Sequence, residues 1–210
     1  MEDVLSVYQR AYDPKRPQIG LDEGSKQLAS SLREALPMQP GQTVREDYEY
    51  EREGFCSVFL ACEPLTGNVV IDVRPRRTKQ DWAEFVRDLV DIHYAHADKI
   101  VLVMDNLNTH SPASLYKAFA PEEAWRLAQK LEIHYTPVHG SWLNMAEIEL
   151  SVLGRQALSE RLASVQEVQE RVEQWQQTRI HNQGKIEWQF TTEYARIKLK
   201  HLYPLLSNEA

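Results

Sequence analysis

The feature that most constrains this chain is the run from Lys99 to Met104, which is continuously apolar after the lysine and stops abruptly at Asp105-Asn106. A strand with one wet face alternates apolar and polar side chains, whereas a strand covered on both faces does not. The run therefore predicts a buried strand in a mixed or parallel sheet with helices on both sides. Such sheets bind ligands beyond the carboxyl ends of their strands, which is where Asp105 stands.

The order of the remaining elements agrees with that sheet. A short helix around Glu2 to Tyr12 and a break at Pro14 and Pro17 precede a strand over Gln18 to Glu23. A polar loop follows from Gln39 to Tyr50. Phe55 to Cys62 and Asn68 to Arg74 are β-rich runs joined by Pro64-Leu65-Thr66-Gly67, a hairpin signal in which Gly67 supplies a positive φ. Trp82, Phe85, Val86, Leu89 and Ile92 or His93 recur at helical spacing behind Thr78, with Asp81 completing an N-cap pattern. One helical pattern spans Pro112 to Lys130, a strand covers Glu132 to Thr136, and a long helix begins at Gly140-Ser141. Ser164 to Asn182 is a polar helix with a narrow stripe of Val165, Val168, Val172 and Trp175, ended by Asn182-Gln183-Gly184; Thr192 to Leu202 is a last helix, stopped by Pro204. Three strands, then helix, strand, helix, strand, helix, is an α/β layered order. Residues 1–163 form the sheet-bearing domain in this reading, and 164–210 a helical extension.

Several acids sit where chemistry can use them. Asp105 follows the buried strand, with capping of a turn through Asn106 as its alternative role. Glu147 and Glu149 lie on a helix that is apolar nearly all round. Residues two apart on a helix diverge by about 200°, so one of the two is expected to point inward or into a cleft, with a half-exposed, salt-bridging helix as the alternative. Asp22 and Glu23 close the first strand, where a surface turn is the competing reading. One acid on an early strand, one after the buried strand and one on a later helix supply the hard oxygen ligands that Mg²⁺ requires. Two such ions about 3.5–4 Å apart activate an attacking oxygen and steady a leaving oxygen in phosphoryl displacement.

Arg74, Arg76, Arg77 and Lys79 form a dense basic cluster at the end of the third strand, fit either for phosphate contact or for solvation. His110, His134 and His139 flank the acids as candidates for proton transfer or phosphate binding, with packed or surface histidines as the alternative. A formal net charge of -7 argues against coating nucleic acid by bulk electrostatics, though not against a nuclease. The acidic excess is confined to residues 1–150, with 16 Lys+Arg against 24 Asp+Glu, while 151–210 carry 8 against 7. Cys56 and Cys62, an even number apart on one strand, share a face and read as buried thiols. No apolar stretch approaches the roughly 20 residues of a membrane span, and the acidic start lacks a secretory pattern, so the expected compartment is the cytoplasm. Walker loops, Gly-x-Gly-x-x-Gly, Gly-x-Ser-x-Gly and His-Glu-x-x-His motifs are missing from the sequence.

Val101-Leu-Val-Met-Asp105-Asn-Leu-Asn-Thr-His110 and His134-Tyr-Thr-Pro-Val-His-Gly-Ser-Trp-Leu-Asn-Met-Ala-Glu147-Ile-Glu149-Leu closely resemble the DDE transposases of the mariner superfamily, in their bacterial insertion-sequence branch. Tyr48-Glu-Tyr, Glu63-Pro-Leu-Thr-Gly67 and Trp188-Gln-Phe-Thr-Thr192 extend the resemblance over nearly the whole chain. It implies an RNase H-like mixed five-stranded sheet flanked by helices with a C-terminal helical extension. It also implies cleavage and joining of double-stranded DNA at transposon ends and target, with two Mg²⁺ ions for which Mn²⁺ substitutes. Water is the first nucleophile in such chemistry, and a freed 3′-hydroxyl then attacks target DNA. The second carboxylate of the family falls on Asp105, the third on Glu147 after Leu143-Asn144, with Glu149 as backup, and the first on Asp22 within Ile19-Gly-Leu-Asp-Glu23. These three acids are expected to converge within a few ångströms.

Two departures accompany the resemblance. The interval from Asp105 to Glu147 is longer than in animal mariner relatives, with the Pro112 to Lys130 segment as the insert. Only about twenty residues precede Asp22, so the helix-turn-helix reader of terminal repeats is expected on a separate polypeptide or absent. A homodimer is expected by analogy, since two DNA ends are brought together. The competing readings are a non-catalytic product that pairs with full-length transposase through the Val165–Trp175 stripe, and an RNase H-like nuclease or junction resolvase.

Overall fold

A computed structural model describes residues 1–32, 49–182, 184–186 and 188–203. One sheet carries the strands β1 (Gln18–Ser31), β2 (Tyr50–Glu63), β3 (Asn68–Arg74), β4 (Ile100–Met104) and β5 (Leu131–Tyr135), in the spatial order β3-β2-β1-β4-β5. The β1–β2 and β2–β3 pairs are antiparallel, and β4 runs parallel to both β1 and β5. This is the mixed five-stranded sheet that the resemblance implied. All five residues of β4 are buried, as a strand covered on both faces must be. The β2–β3 turn puts Gly67 at φ 80°. Residues 39–48 of the polar loop, with Gln183 and Pro204, lie outside the described residues.

On one face, α2 (Lys79–Asp88), α3 (Pro112–Ala118) and α4 (Pro121–Lys130) press Trp82, Phe85, Val86, Leu115 and Leu127 onto Ile19, Leu21, Phe59, Leu102 and Met104. Thr78 and Asp81 form the reciprocal cap at the start of α2. On the other face, α5 (Met145–Gln156) and α6 (Val165–His181) cover Cys56, Val58, Leu60, Cys62 and Val69. Both cysteines are free and buried on that one face, as expected. Val168, Val172 and Trp175 of α6 are buried there against the sheet, with Val165 partly buried beside them, so the stripe packs within the chain. A third cluster joins α1 (Glu2–Tyr8) and α7 (Thr192–Lys198) to Val101, Val103 and Leu143.

Several boundaries depart from the sequence reading. The first helix ends at Tyr8, β2 begins at Tyr50, and the helix expected from Gly140-Ser141 starts only at Met145, after a 3-10 turn over Ser141–Leu143. β1 runs on to Ser31 because antiparallel pairing with β2 satisfies its backbone through Gly24 and Lys26. The Pro112 to Lys130 pattern is two helices, since Phe119 and Ala120 are extended ahead of Pro121, which opens α4; a residue before proline is driven from helical φ/ψ. At the end of α2, Leu89–His93 form a wider π turn, which shifts the helical phase and leaves Ile92 and His93 exposed.

Candidate active site

Strand register brings the first two acids together. Gln18, Ile19 and Gly20 of β1 lie opposite Val101, Leu102 and Val103 of β4. Carried two residues further, the same register sets Asp22 opposite Asp105, the first residue after β4. Adjacent strands are about 4.8 Å apart. Ile19 and Leu21 belong to the core under α2, so by alternation Gly20, Asp22 and Gly24 face α5. A Cβ on Gly20 would lie 3.1 Å from the Ala146 backbone nitrogen, and one on Gly24 would lie 3.6 Å from Leu150. Asp22 thus stands on the strip of β1 over which the first two turns of α5 pass. Glu147 is in the first of those turns and is exposed.

Asn144 fixes this docking. Its side-chain nitrogen donates to the Leu21 carbonyl at 2.8 Å, and its oxygen caps α5 by accepting from the Ala146 backbone N–H at 3.2 Å. Gly20 and Asn144 were not singled out from sequence as site residues. The glycine between apolar residues and the Asn just before the helix were the available signals.

Burial pushes the Asp22 carboxyl up to about 6, the charges of Asp105 and Glu23 adding to the rise and a 2.8 Å hydrogen bond from the Glu23 backbone N–H opposing it. Glu23, one residue on, faces the opposite side of β1. Its Oε2 is 2.6 Å from Nε2 of His110, whose Nδ1 is 2.5 Å from Oδ1 of Asp105. His110 is fully buried and Glu23 nearly so, at 2% side-chain exposure. Burial pulls the imidazole down, but the bonds to Asp105 and Glu23 outweigh it and raise its pKa to about 9. Tyr135 donates its hydroxyl to the His110 carbonyl at 2.9 Å, tying this residue to β5. Asp105 also accepts a long 3.4 Å bond from the Leu107 backbone N–H, so a turn contact coexists with its place beside Asp22. With both ring nitrogens engaged and no exposure, His110 is not available to bind a DNA phosphate.

The other candidates separate. Glu149 is the inward member of its pair: its carboxylate is 2% exposed and takes two bonds from Arg179 of α6, at 2.5 and 2.9 Å. Arg74 is committed to Asp72 and Glu84 at 2.7 Å each, with Asp88 at 3.7 Å, while Arg76 and Arg77 are exposed and Lys79 is half-buried. His134 bridges Asp3 and Glu132 at 2.7 and 3.2 Å, away from the acids. His139 adopts a left-handed backbone, φ 60°, in the wall of a cavity of about 430 Å³ that also touches Asp105, Asn106, Leu107 and Val138. Among the described residues no three His, Cys, Asp or Glu side chains already form a metal-holding group. The expected convergence is therefore partial: Asp22 and Asp105 adjoin, and Glu147 lies in the helical turn above them with its carboxylate toward solvent. No helix among the described residues is long and apolar enough to cross a membrane.

Residues 19–169 match the model of a family described as DDE superfamily endonuclease. No curated protein matches the chain. Among solved structures, the fold is similar to that of a Mos1 strand transfer complex, with a TM-score of 0.57 and 15% identity over 86% of this chain and 55% of that one. It is also similar to Mos1 mariner paired-end complexes with Mn and with Mg, at TM-scores of 0.55 and 0.57 and 16% identity, over 86% of this chain and 56% of each. The chain thus spans a little over half the length of those proteins.

Proposed function

Because the chain belongs to the DDE superfamily endonucleases, we propose that it is the catalytic domain of a transposase, which cuts double-stranded DNA at transposon ends and joins the freed end to target DNA. Asp22, Asp105 and Glu147 are its acidic triad. The observation that carries this reading is the parallel pairing of β1 with β4 through Gly20 and Val103, which, carried two residues on, sets Asp22 beside Asp105 at the strip of β1 covered by α5, whose first turn bears Glu147. Mos1 structures solved with Mn and with Mg accord with it.

The donor set fits hard divalent cations. Asp22 and Asp105 are neighbouring carboxylates whose mutual repulsion a cation relieves, and oxygen-only ligation is what Mg²⁺, or Mn²⁺ in its place, requires. When bound, two such ions supply an activated water and a counter-charge for the departing 3′-oxygen. The protein's own work is positional. β1 and β4 set two carboxylates side by side, and Asn144 pins the helix that brings the third. The N-terminus of α5 adds a positive dipole end toward the same place, favouring an anionic phosphate. Arg76, Arg77 and Lys79 are the phosphate-contacting cations of the duplex track, and Arg74 braces their loop. Two copies of the chain hold the two ends.

The test is metal-dependent nicking of supercoiled DNA by the purified protein. Asp105→Ala, Asp22→Ala and Glu147→Ala each abolish it while leaving thermal unfolding cooperative. Full strand cleavage by Asp105→Ala refutes the assignment.

A further inference from the structure

The Asp22-Glu23 dipeptide divides between the two faces of β1. Asp22 faces α5, while Glu23 reaches His110 across 2.6 Å on the side of α2, and His110 reaches Asp105 across 2.5 Å. Both ring nitrogens of a fully buried imidazole are thereby spent on carboxylates, neither of which belongs to an ordinary core pair. Glu23 has 2% side-chain exposure, whereas Asp105 keeps 29%. The chain of contacts thus runs from a sealed acid, through a sealed imidazole, to one oxygen of an acid that still faces solvent. The imidazole is further seated on Trp82, at 5.9 Å between ring centroids, and its backbone carbonyl is held by Tyr135. This brace has an anchor in each of β1, α2 and β5, and its free end is the Asp105 carboxylate.

We propose that Glu23 and His110 are positioning residues that clamp Oδ1 of Asp105 and so leave Oδ2 aimed at a divalent cation. This rests on the reading of Asp105 as a metal ligand and deepens it. A carboxylate just beyond a strand end has free χ1 and χ2 rotors, and fixing them in advance removes the entropy cost of ordering the ligand when the cation arrives. Partners one shell out from a metal ligand act in this way, by orienting it. Glu23 serves in turn as the acceptor that holds the imidazole plane, as a carboxylate does behind a histidine in other sites.

The direct readout is Mn²⁺ binding to the protein in the absence of DNA, followed as loss of the free-ion electron paramagnetic resonance signal. His110→Ala is expected to weaken binding about tenfold, the lower end for loss of such a partner, and His110→Gln, which keeps a donor near Asp105, to restore most of it. Nicking by His110→Ala falls at low metal and recovers at high metal. Leu127→Ala, a core truncation under α4, controls for lost stability and leaves Mn²⁺ binding unchanged. Should His110→Ala fail to fold, Glu23→Gln takes its place and is expected to weaken binding by less than the about tenfold of His110→Ala, since the imidazole remains. The proposal is overturned if the folded variant binds Mn²⁺ as tightly as the unaltered protein while Asp105→Asn does not. If Asp105→Asn also binds normally, the reading of Asp105 as a ligand falls, and the proposal with it.

Discussion

Glu147 and Glu149 lie two residues apart on one helix, and opposite consequences follow from replacing each with alanine. Glu149 is almost wholly buried, and both its oxygens are engaged by Arg179, which is itself only 23% exposed. The bond to Glu149 in turn holds the Arg179 pKa above its ordinary value, against burial. Removing one partner of a buried pair leaves the other charge uncompensated, at a cost of about 3–5 kcal/mol. Arg179 retains some access to water, so Glu149→Ala is expected near the lower limit, about 3 kcal/mol. For a chain of this size that corresponds to a fall in Tm of about 6–12 °C. Glu147→Ala removes an exposed acid from the first turn of α5 and forfeits only its interaction with the helix dipole, about 0.3–1 kcal/mol. Urea unfolding of both variants, with unchanged m values, measures the contrast. Plasmid nicking measured on the same samples should show the reverse order, with Glu147→Ala inactive and Glu149→Ala active wherever it remains folded. If Glu149→Ala is as stable as the unaltered protein yet does not nick, Glu149 and not Glu147 is the third acid.

Gly20→Ala places a Cβ 3.1 Å from the Ala146 backbone nitrogen, so it should push α5 off β1, destabilise the protein by about 1–3 kcal/mol as overpacking does and slow nicking, both read on one purified variant. Arg76→Ala combined with Arg77→Ala should weaken duplex binding and lower the slope of log affinity against log salt by about 2, whereas Arg74→Ala should chiefly lower the urea midpoint, since Arg74 is tied to Asp72 and Glu84. Glu132 is held down to about 2 by its bond to Arg10, with His134 and Arg16 adding to the effect against burial. A depressed folded pKa gives stability that is present above the unfolded value of about 4.3 and lost as pH falls toward 2; stability measured from pH 6 to pH 2 should therefore decline less steeply in Glu132→Gln.

The parts of the fold that sequence made legible are those where local chemistry and tertiary packing agree. The unbroken apolar run of β4, the Thr78 cap of α2 and the glycine of the β2–β3 turn each have a local cause that the fold preserves. The far half of β1 does not: Gly24, Ser25 and Lys26 have no strand pattern of their own and are extended because β2 lies beside them. The break in the Pro112 to Lys130 helix was written in Pro121, but the hydrophobic spacing on either side obscured it. At the site, the inward turn of one of Glu147 and Glu149 followed from helix geometry, whereas which one turned inward depended on Arg179, 30 residues away. His110 could be located near the acids from its place in the chain. Its double engagement could not, because Glu23 reaches it only through the pairing of β1 with β4.

Asp22, Asp105 and Glu147 are proposed to hold divalent cations together. Anomalous scattering from a crystal of the protein grown with Mn²⁺ tests it most directly. Mn²⁺ density bounded by carboxylate oxygens of all three residues is expected, with Glu147 drawn in from solvent. Mn²⁺ bound elsewhere, with Asp22 and Asp105 unliganded at saturating metal, would contradict it.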